Sequence, residues 1–207
     1  MRRTGRIGRP PGSDGDETRQ RILEAARSCF AAFGYAATTN RMIADRAGLT
    51  SSAVYHHFGQ KHELMLAVHH ATEERYLTRL RAAVNDADGF DASLRAIFDV
   101  IHETVREDPE QVAFSMVARE EARRHVELAE IARDRSTTDL FHDLVQRGVS
   151  EGAIAPGDAV EAQGAIAALA TGLAISGGDL GEASHRVLTE GCKRLAAGTL
   201  LGAPTIT

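Results

Sequence analysis

Apolar residues recur along this chain with the period of a helix and hardly anywhere with that of a strand. Ile22, Ala26, Cys29, Phe30 and Phe33 fall at i, i+4, i+7, i+8 and i+11, one stripe of an amphipathic helix that begins near Asp16. Asp14 or Asp16 is placed to cap its start and Gly34 to stop it. A short second helix opens at Thr38 or Thr39, carries Met42, Ile43 and Ala47 on one face, and ends at Gly48. Thr50 then caps a third short helix from Ser51 to about Phe58, which Gly59 breaks. A long fourth helix starts near Gln60 and runs past Tyr76 to about Val84. Beyond a polar break at Asp86 to Asp91, the punctuation is Pro109, the Gly148–Gly152 stretch with Pro156, and Gly177-Gly178. It divides the rest into helices at roughly 91–107, 109–124, 125–149, 157–176 and 180–200. The pattern predicts an all-α fold of about nine helices.

Composition agrees: 43% hydrophobic and 26% charged residues over 207 positions describe a globular chain of one large domain or two small ones. Abundant alanine and the absence of tryptophan favour helix. Cys29 and Cys192 sit in apolar helical stretches and are expected as buried reduced thiols, since two cysteines make neither a disulfide framework nor a zinc site. The charged N-terminus lacks the apolar core of a signal peptide, so a cytoplasmic location is expected. The uncharged stretch from Ala162 to Gly178 is shorter than the roughly 20 apolar residues of a membrane span, and a buried helix with no membrane partner is expected there.

The net charge of -5 hides an asymmetry. Residues 1–65 hold 10 Lys/Arg against 6 Asp/Glu, whereas the remaining 142 hold 14 against 23. A basic head on an acidic body suits a nucleic-acid partner for the head. The first 13 residues hold four arginines, three glycines, two prolines and no acid. They cannot bury a core and are expected to be disordered in isolation.

The segment TTNRMIADRAGLTSSAVYHHFGQKHEL, Thr38 to Leu64, has the arrangement of a helix-turn-helix. Ala44 is small where two helices cross. Gly48 can take the positive φ of the turn, and Leu49 plugs the corner. Val54 and Phe58 face the three-helix core, which leaves Ser51, Ser52, Ala53, Tyr55, His56 and His57 on the outer face. Short polar residues and ring-bearing donors of this kind reach base edges and phosphates in a major groove. A helical hairpin with an ordinary polar surface has the same pattern.

The run from Thr18 to Leu66 resembles the DNA-binding domain of the TetR family of bacterial repressors. The resemblance lies in ILEAA of the first helix, Phe30, FGY at Phe33 to Tyr35, Thr39, IADRAGL at Ile43 to Leu49, and VYHHF…K..L from Val54 through Lys61 to Leu64. It covers about a quarter of the chain. It implies an N-terminal three-helix DNA-binding domain at 16–64 behind a basic arm at 1–15. A helical regulatory and dimerisation domain at 65–207 follows. It also implies that Thr39 and Tyr55 contact phosphate or sugar, that His57 and Lys61 contact phosphate, and that Arg41, Ser51, Ser52 and His56 reach bases. With the capping Thr50, these form the expected DNA-facing set. Arg41 is the best guanine reader, its fork matching O6 and N7. Two departures stand out: Gln60 replaces the usual Ser or Asn cap of the fourth helix, and Ser52 stands where glycine is common. Arg6 and Arg9, within the GRPPG-containing tail, fit either a minor-groove arm or a solvated tail acting by counterion release.

By the same resemblance the last two helices pair with a second copy, and small residues among Leu, Ile and Val from Ala159 to Ile175 and Ala183 to Leu201 permit close packing. An intramolecular core would use the same residues. A homodimer on an inverted-repeat operator in double-stranded DNA is expected, because one recognition helix reads too few base pairs. Phe98, His102, Phe114, Met116, Val117 and Phe141 are the candidate lining of a pocket for a small lipophilic or aromatic effector. The fourth helix, running from Lys61 into the body, is the candidate element that couples that pocket to DNA. An enzyme is not expected. The pairs His56-His57 and His69-His70 point about 100° apart on a helix, and no HExxH, GxSxG or phosphate loop is present. No cofactor and no metal site are expected. A helix-turn-helix protein that binds DNA without any ligand is the alternative, and ligand-dependent release separates the two.

Overall fold

A computed structural model describes residues 13–178 and 180–200, and among them the chain is helical throughout with no strand. Ten α-helices follow in order: α1 (Ser13–Ala37), α2 (Asn40–Ala47), α3 (Ser51–Phe58), α4 (Lys61–Asp86), α5 (Gly89–Glu107), α6 (Pro109–Arg124), α7 (Ala129–Arg133), α8 (Ser136–Ser150), α9 (Ala159–Ser176) and α10 (Glu182–Ala196). Single 3-10 turns at Val126–Leu128 and Pro156–Asp158 precede α7 and α9. The all-α architecture expected from the apolar period is the one adopted. Gly34 does not end α1 outright. It breaks the helix with φ 75 and ψ 174, a conformation open to glycine, and a last turn continues to Ala37.

Two expectations need correction. The stretch 125–149 is not one helix but a 3-10 turn, the one-turn α7 and α8. No proline or glycine marks the break. It is made by Asp134, whose Oδ1 accepts from the Ser136 backbone N–H at 2.9 Å and whose Oδ2 meets His69 Nε2 on α4 at 2.9 Å. The carboxylate thus satisfies an orphan N–H of α8 from outside the helix. Phe33, placed on the buried stripe of α1, is 55% exposed, because it lies at the Gly34 break, past the end of the buried face.

Two apolar clusters hold the chain. The first joins Ile22, Ala26, Cys29 and Phe30 of α1 to Ile43 and Ala44 of α2, Val54 and Phe58 of α3, and Leu64, Met65 and Val68 of α4. Phe114, Ala118 and Ala122 of α6 complete it, at spacings i, i+4 and i+8 that put them on one helix face. The core of the first three helices is therefore closed by a helix from the second half of the chain. The second cluster gathers Leu77 and Leu80 of α4, Leu94, Ile97, Phe98 and Ile101 of α5, Phe141, Leu144 and Val145 of α8, Ile166, Ala170 and Leu173 of α9, and Cys192 of α10. Only α4 runs through both, its 26 residues spanning about 39 Å at 1.5 Å each. Both cysteines are buried thiols, and burial pushes each thiol up from its ordinary value.

The last two helices depart from the buried reading. On α9 only Ile166, Ala170 and Leu173 are buried. The segment Pro156–Ser176 has the length and apolarity of a membrane span, with mean hydropathy 1.3, yet 17% of it is covered within the chain. Val160 and Ile175 on α9 and Val187 on α10 are exposed at 81%, 42% and 74%. Apolar surface of this kind marks a face that something else covers.

Candidate nucleic-acid interface

The turn between α2 and α3 is fixed from its own sequence. Thr39 caps α2, its Oγ1 accepting from Met42 N–H at 3.2 Å, and Thr50 caps α3 in the same way from Ala53 N–H at 3.2 Å. Between them Gly48 stands at φ 65 and ψ 39, so that Leu49 N–H reaches the Ala44 carbonyl at 2.9 Å. Arg21 of α1 donates to the Ala47 carbonyl at 2.6 Å and ties this corner to the first helix. Val54 and Phe58 are the buried anchors of α3, and the Arg19 guanidinium stacks on the outer side of Phe58 at 5.1 Å.

With those anchors in place, the opposite face of α3 is presented to solvent. Thr50, Ser51, Ser52, Tyr55 and His56 are exposed and His57 is half-buried. Tyr55 is 60% exposed. The His56 and His57 rings meet edge-on at 5.7 Å. Thr39, the cap of α2, and Arg41 on α2 are exposed too. Arg41 has only a long contact of 3.8 Å with the exposed Asp45, which water screens. Of the nine DNA-facing candidates, Thr39, Arg41, Thr50, Ser51, Ser52, Tyr55 and His56 are exposed and His57 is half-buried.

Lys61 is placed differently. Its Nζ donates to the carbonyls of Tyr35 at 2.7 Å, Ala36 at 3.3 Å and Thr38 at 3.0 Å, and lies 4.4 Å from the Tyr35 ring centre. All three protons are directed at the carbonyl end of α1, where a cation also meets the negative end of the helix dipole. Burial holds the ammonium below its ordinary value, against the pull of Glu121 and Glu127. A phosphate would have to win Lys61 away from these carbonyls. The weaker cap expected from Gln60 is repaired by Glu63, whose Oε2 accepts from the Gln60 backbone N–H at 2.6 Å. Arg6 and Arg9 lie outside the described residues.

The body holds three recesses of similar size. Those of 520 Å³ around Arg81, Asp139, Asp143 and Arg147, and of 480 Å³ around Asp99, Glu103, Arg106, Glu182 and Arg186, are walled by charge. The third, of 470 Å³, has an apolar floor: Ile101 and Val105 of α5, Phe141 of α8, and Ala170, Ala174 and Ile175 of α9. Its polar side comes from Glu73 and Tyr76 of α4 and from Gln111, Ser115 and Arg119 of α6.

Of the six pocket candidates, Met116 and Phe141 line this cavity and the other four do not. Phe98 is buried in the second cluster, and Phe114 lies on the α1 side of α6, in the first cluster. Val117 is outside the lining. His102 faces the charged recess of α5 and α10, with its Nδ1 2.7 Å from His185 Nδ1. Aromatic and apolar character did not separate core from cavity, since α6 has one face in each. Tyr76, Gln111, Ser115 and Glu73 were missed. The signal for them was polar residues interrupting otherwise buried helix faces.

Comparison with known proteins agrees with this geometry. The profile of "Bacterial regulatory proteins, tetR family" matches residues 22–68. The HTH-type transcriptional repressor KstR2 of Mycolicibacterium smegmatis is 28% identical over 142 residues, 67% of this chain and 68% of that protein. The HTH-type transcriptional repressor AcnR of Corynebacterium efficiens is 47% identical over 51 residues, 25% of this chain and 27% of that protein. The crystal structure of the transcriptional regulator FadR from Bacillus subtilis in complex with stearoyl-CoA superposes with a TM-score of 0.70 at 16% identity, over 88% of this chain and 99% of that one.

Proposed function

We propose that this chain, whose residues 22–68 match the tetR family of bacterial regulatory proteins, is a DNA-binding transcriptional regulator of that family and no enzyme, a cytoplasmic repressor that leaves an inverted-repeat operator when a lipophilic or aromatic effector enters its body. The observation that carries the reading is the outer face of α3, polar, exposed and rigidly held by Val54 and Phe58. We assign residues 16–64 to the DNA-binding head, 65–207 to the regulatory and dimerisation body, and 1–15 to a basic arm.

Ser51, Ser52, His56 and Arg41 read bases. Thr39, Thr50, Tyr55 and His57 contact sugar and phosphate. Lys61 acts mainly by bracing α1 against α4, so that the recognition helix is held at a fixed angle. A second copy covers α9 and α10. On α9, Val160, Gly164, Ala168, Thr171 and Ile175 recur at spacings of 4, 4, 3 and 4 and are all exposed, a stripe suited to a helix of a partner chain. The similarity to KstR2 and AcnR, both transcriptional repressors, supports repression. A chain of the same fold that accommodates stearoyl-CoA supports an apolar effector.

Coupling runs through α6 as well as α4. One face of α6 lines the 470 Å³ cavity, and the other carries Phe114, Ala118 and Ala122 into the core of the head. The Tyr35 backbone N–H donates to Glu121 Oε1 at 3.1 Å, and Arg27 of α1 pairs with Asp108 at 2.6 Å and Glu110 at 3.2 Å. A ligand that displaces α6 drags α1 with it. A hundredfold loss of operator affinity needs about 2.7 kcal/mol of such coupling, and the operator must weaken the ligand equally. The direct test is Tyr55→Ala. Selected from random duplexes, the preferred site should bind this variant about tenfold or more weakly, with the melting temperature unchanged because the ring is exposed. Equal affinity would overturn the assignment of α3.

A further inference from the structure

The cavity that the proposed effector enters has a polar group in its lining that no protein group pairs. Gln111 is 6% exposed, and among the described residues its side-chain carboxamide has no hydrogen-bond partner, while its backbone N–H donates to the Asp108 carboxylate and carbonyl. Among the described residues, the side-chain atoms sealed from solvent without a partner are Asn40 Oδ1 and His102 Nε2, whereas the Gln111 amide keeps contact with solvent on the cavity it lines, where a ligand would have to replace its water. Tyr76 lies on the same lining, its hydroxyl also without a partner among the described residues. Burial first, and then Glu73, push its phenol up against the pull of Arg119 and Arg79, so that it stays a neutral donor.

Charged residues share the lining. Arg119 and Arg123 are exposed, and Arg123 pairs with Glu120 at 3.2 Å. Glu73, half-buried, accepts from the Thr137 hydroxyl at 2.5 Å. A charged group brought beside Gln111 would lose its water there, with Glu73 on the same lining set against the attraction of Arg119. A wholly apolar molecule would leave the Gln111 amide bare.

Resting on the effector reading above, we propose that the cavity selects an apolar molecule bearing an uncharged oxygen function, a hydroxyl or carbonyl, and that the Gln111 carboxamide hydrogen-bonds that oxygen. Tyr76 is a second donor to the same class of ligand. The carboxamide is the specificity-determining group, because it serves a carbonyl through its N–H and a hydroxyl through either end.

The test uses four probes that differ in one substituent: biphenyl, 4-hydroxybiphenyl, 4-acetylbiphenyl and biphenyl-4-carboxylate, titrated calorimetrically into the full chain and into Gln111→Leu. The hydroxyl and acetyl probes should bind wild type about tenfold more tightly than biphenyl, a factor equivalent to ~1.4 kcal/mol. Gln111→Leu should erase that preference while biphenyl binds as well or better. Its melting temperature should hold or rise, since an unpaired buried amide has been replaced by an apolar group of similar size. Equal binding of biphenyl and its hydroxyl derivative overturns the proposal and leaves the effector reading standing. So does an equal loss of all four probes in Gln111→Leu. Tightest binding of the carboxylate overturns it in favour of a charged end. If none of the four binds, the effector reading itself falls, and the proposal with it.

Discussion

Helices α3 and α9 both turn most of their surface to water, and the two surfaces are opposite in kind. On α3 the exposed positions are Ser51, Ser52, Tyr55 and His56, held by two buried residues, Val54 and Phe58. On α9 they include Val160, Ala165, Ala168 and Ile175, held by Ile166, Ala170 and Leu173. The number of anchors barely differs, so the packing beneath does not explain the contrast. What differs is what each face can exchange for water. Hydroxyls and imidazoles exchange hydrogen bonds with a polar partner at little net cost. An apolar face gains about 25 cal/mol for each Å² removed from water, whatever covers it. The first face is suited to be read against a polar groove, and the second to be buried permanently.

The largest expected effect comes from putting the same charge on both faces. Ala168→Arg should weaken self-association by on the order of a hundredfold, a hot-spot loss of roughly 2–4 kcal/mol, whereas Ser52→Arg should leave the mass unchanged by light scattering. Equal masses for both variants at micromolar concentration would remove α9 from the interface. A medium effect is expected at Lys61, which serves three carbonyls at once. Lys61→Met should cost ~1.5–3 kcal/mol in urea unfolding, the range for hydrogen bonds to charged groups. A loss within the error of the measurement would return Lys61 to the list of simple phosphate contacts.

The smallest effect is a dependence on pH. His185 Nε2 faces the Leu173 carbonyl at 2.9 Å and so carries the proton there, while its Nδ1 accepts from His102. Burial first, then His185, Arg186 and Arg106, hold His102 below its ordinary value of 6.5, against the pull of Glu182. Asp99 and Glu103 of α5 border the same recess. A base whose folded value is depressed contributes stability above its unfolded value and loses it as pH falls. Acidification from about pH 7.5 to 5.5 should therefore lower the melting temperature by about 2 °C more in wild type than in His102→Gln. A larger fall in the variant would show that the pair prefers to be charged.

Much of the interface was legible because its rules are local. Gly48 at positive φ, Thr39 and Thr50 as caps, and Val54 and Phe58 as anchors each follow from spacing within a few residues. The cavity was not legible, because five helices meet there and no single period points at it. Phe114 and Met116 are two positions apart on α6 and read alike by composition, yet one enters the head and the other the cavity. The break at Asp134 was invisible for a related reason: the group that fixes it, His69, is 65 residues away. Lys61 looked like a free cation because the carbonyls it serves become neighbours only when α1 folds back against α4.

The central claim is that two copies of the α3 face read DNA together, brought into register by the α9 and α10 faces. Hydroxyl-radical footprinting on the preferred duplex measures this most directly. The account predicts two protected segments related by a two-fold axis, with half-sites about one helical turn, ~34–36 Å, apart. Ala168→Arg should abolish both protected segments together. A single asymmetric footprint, or one that survives intact when the protein is monomeric, would contradict it.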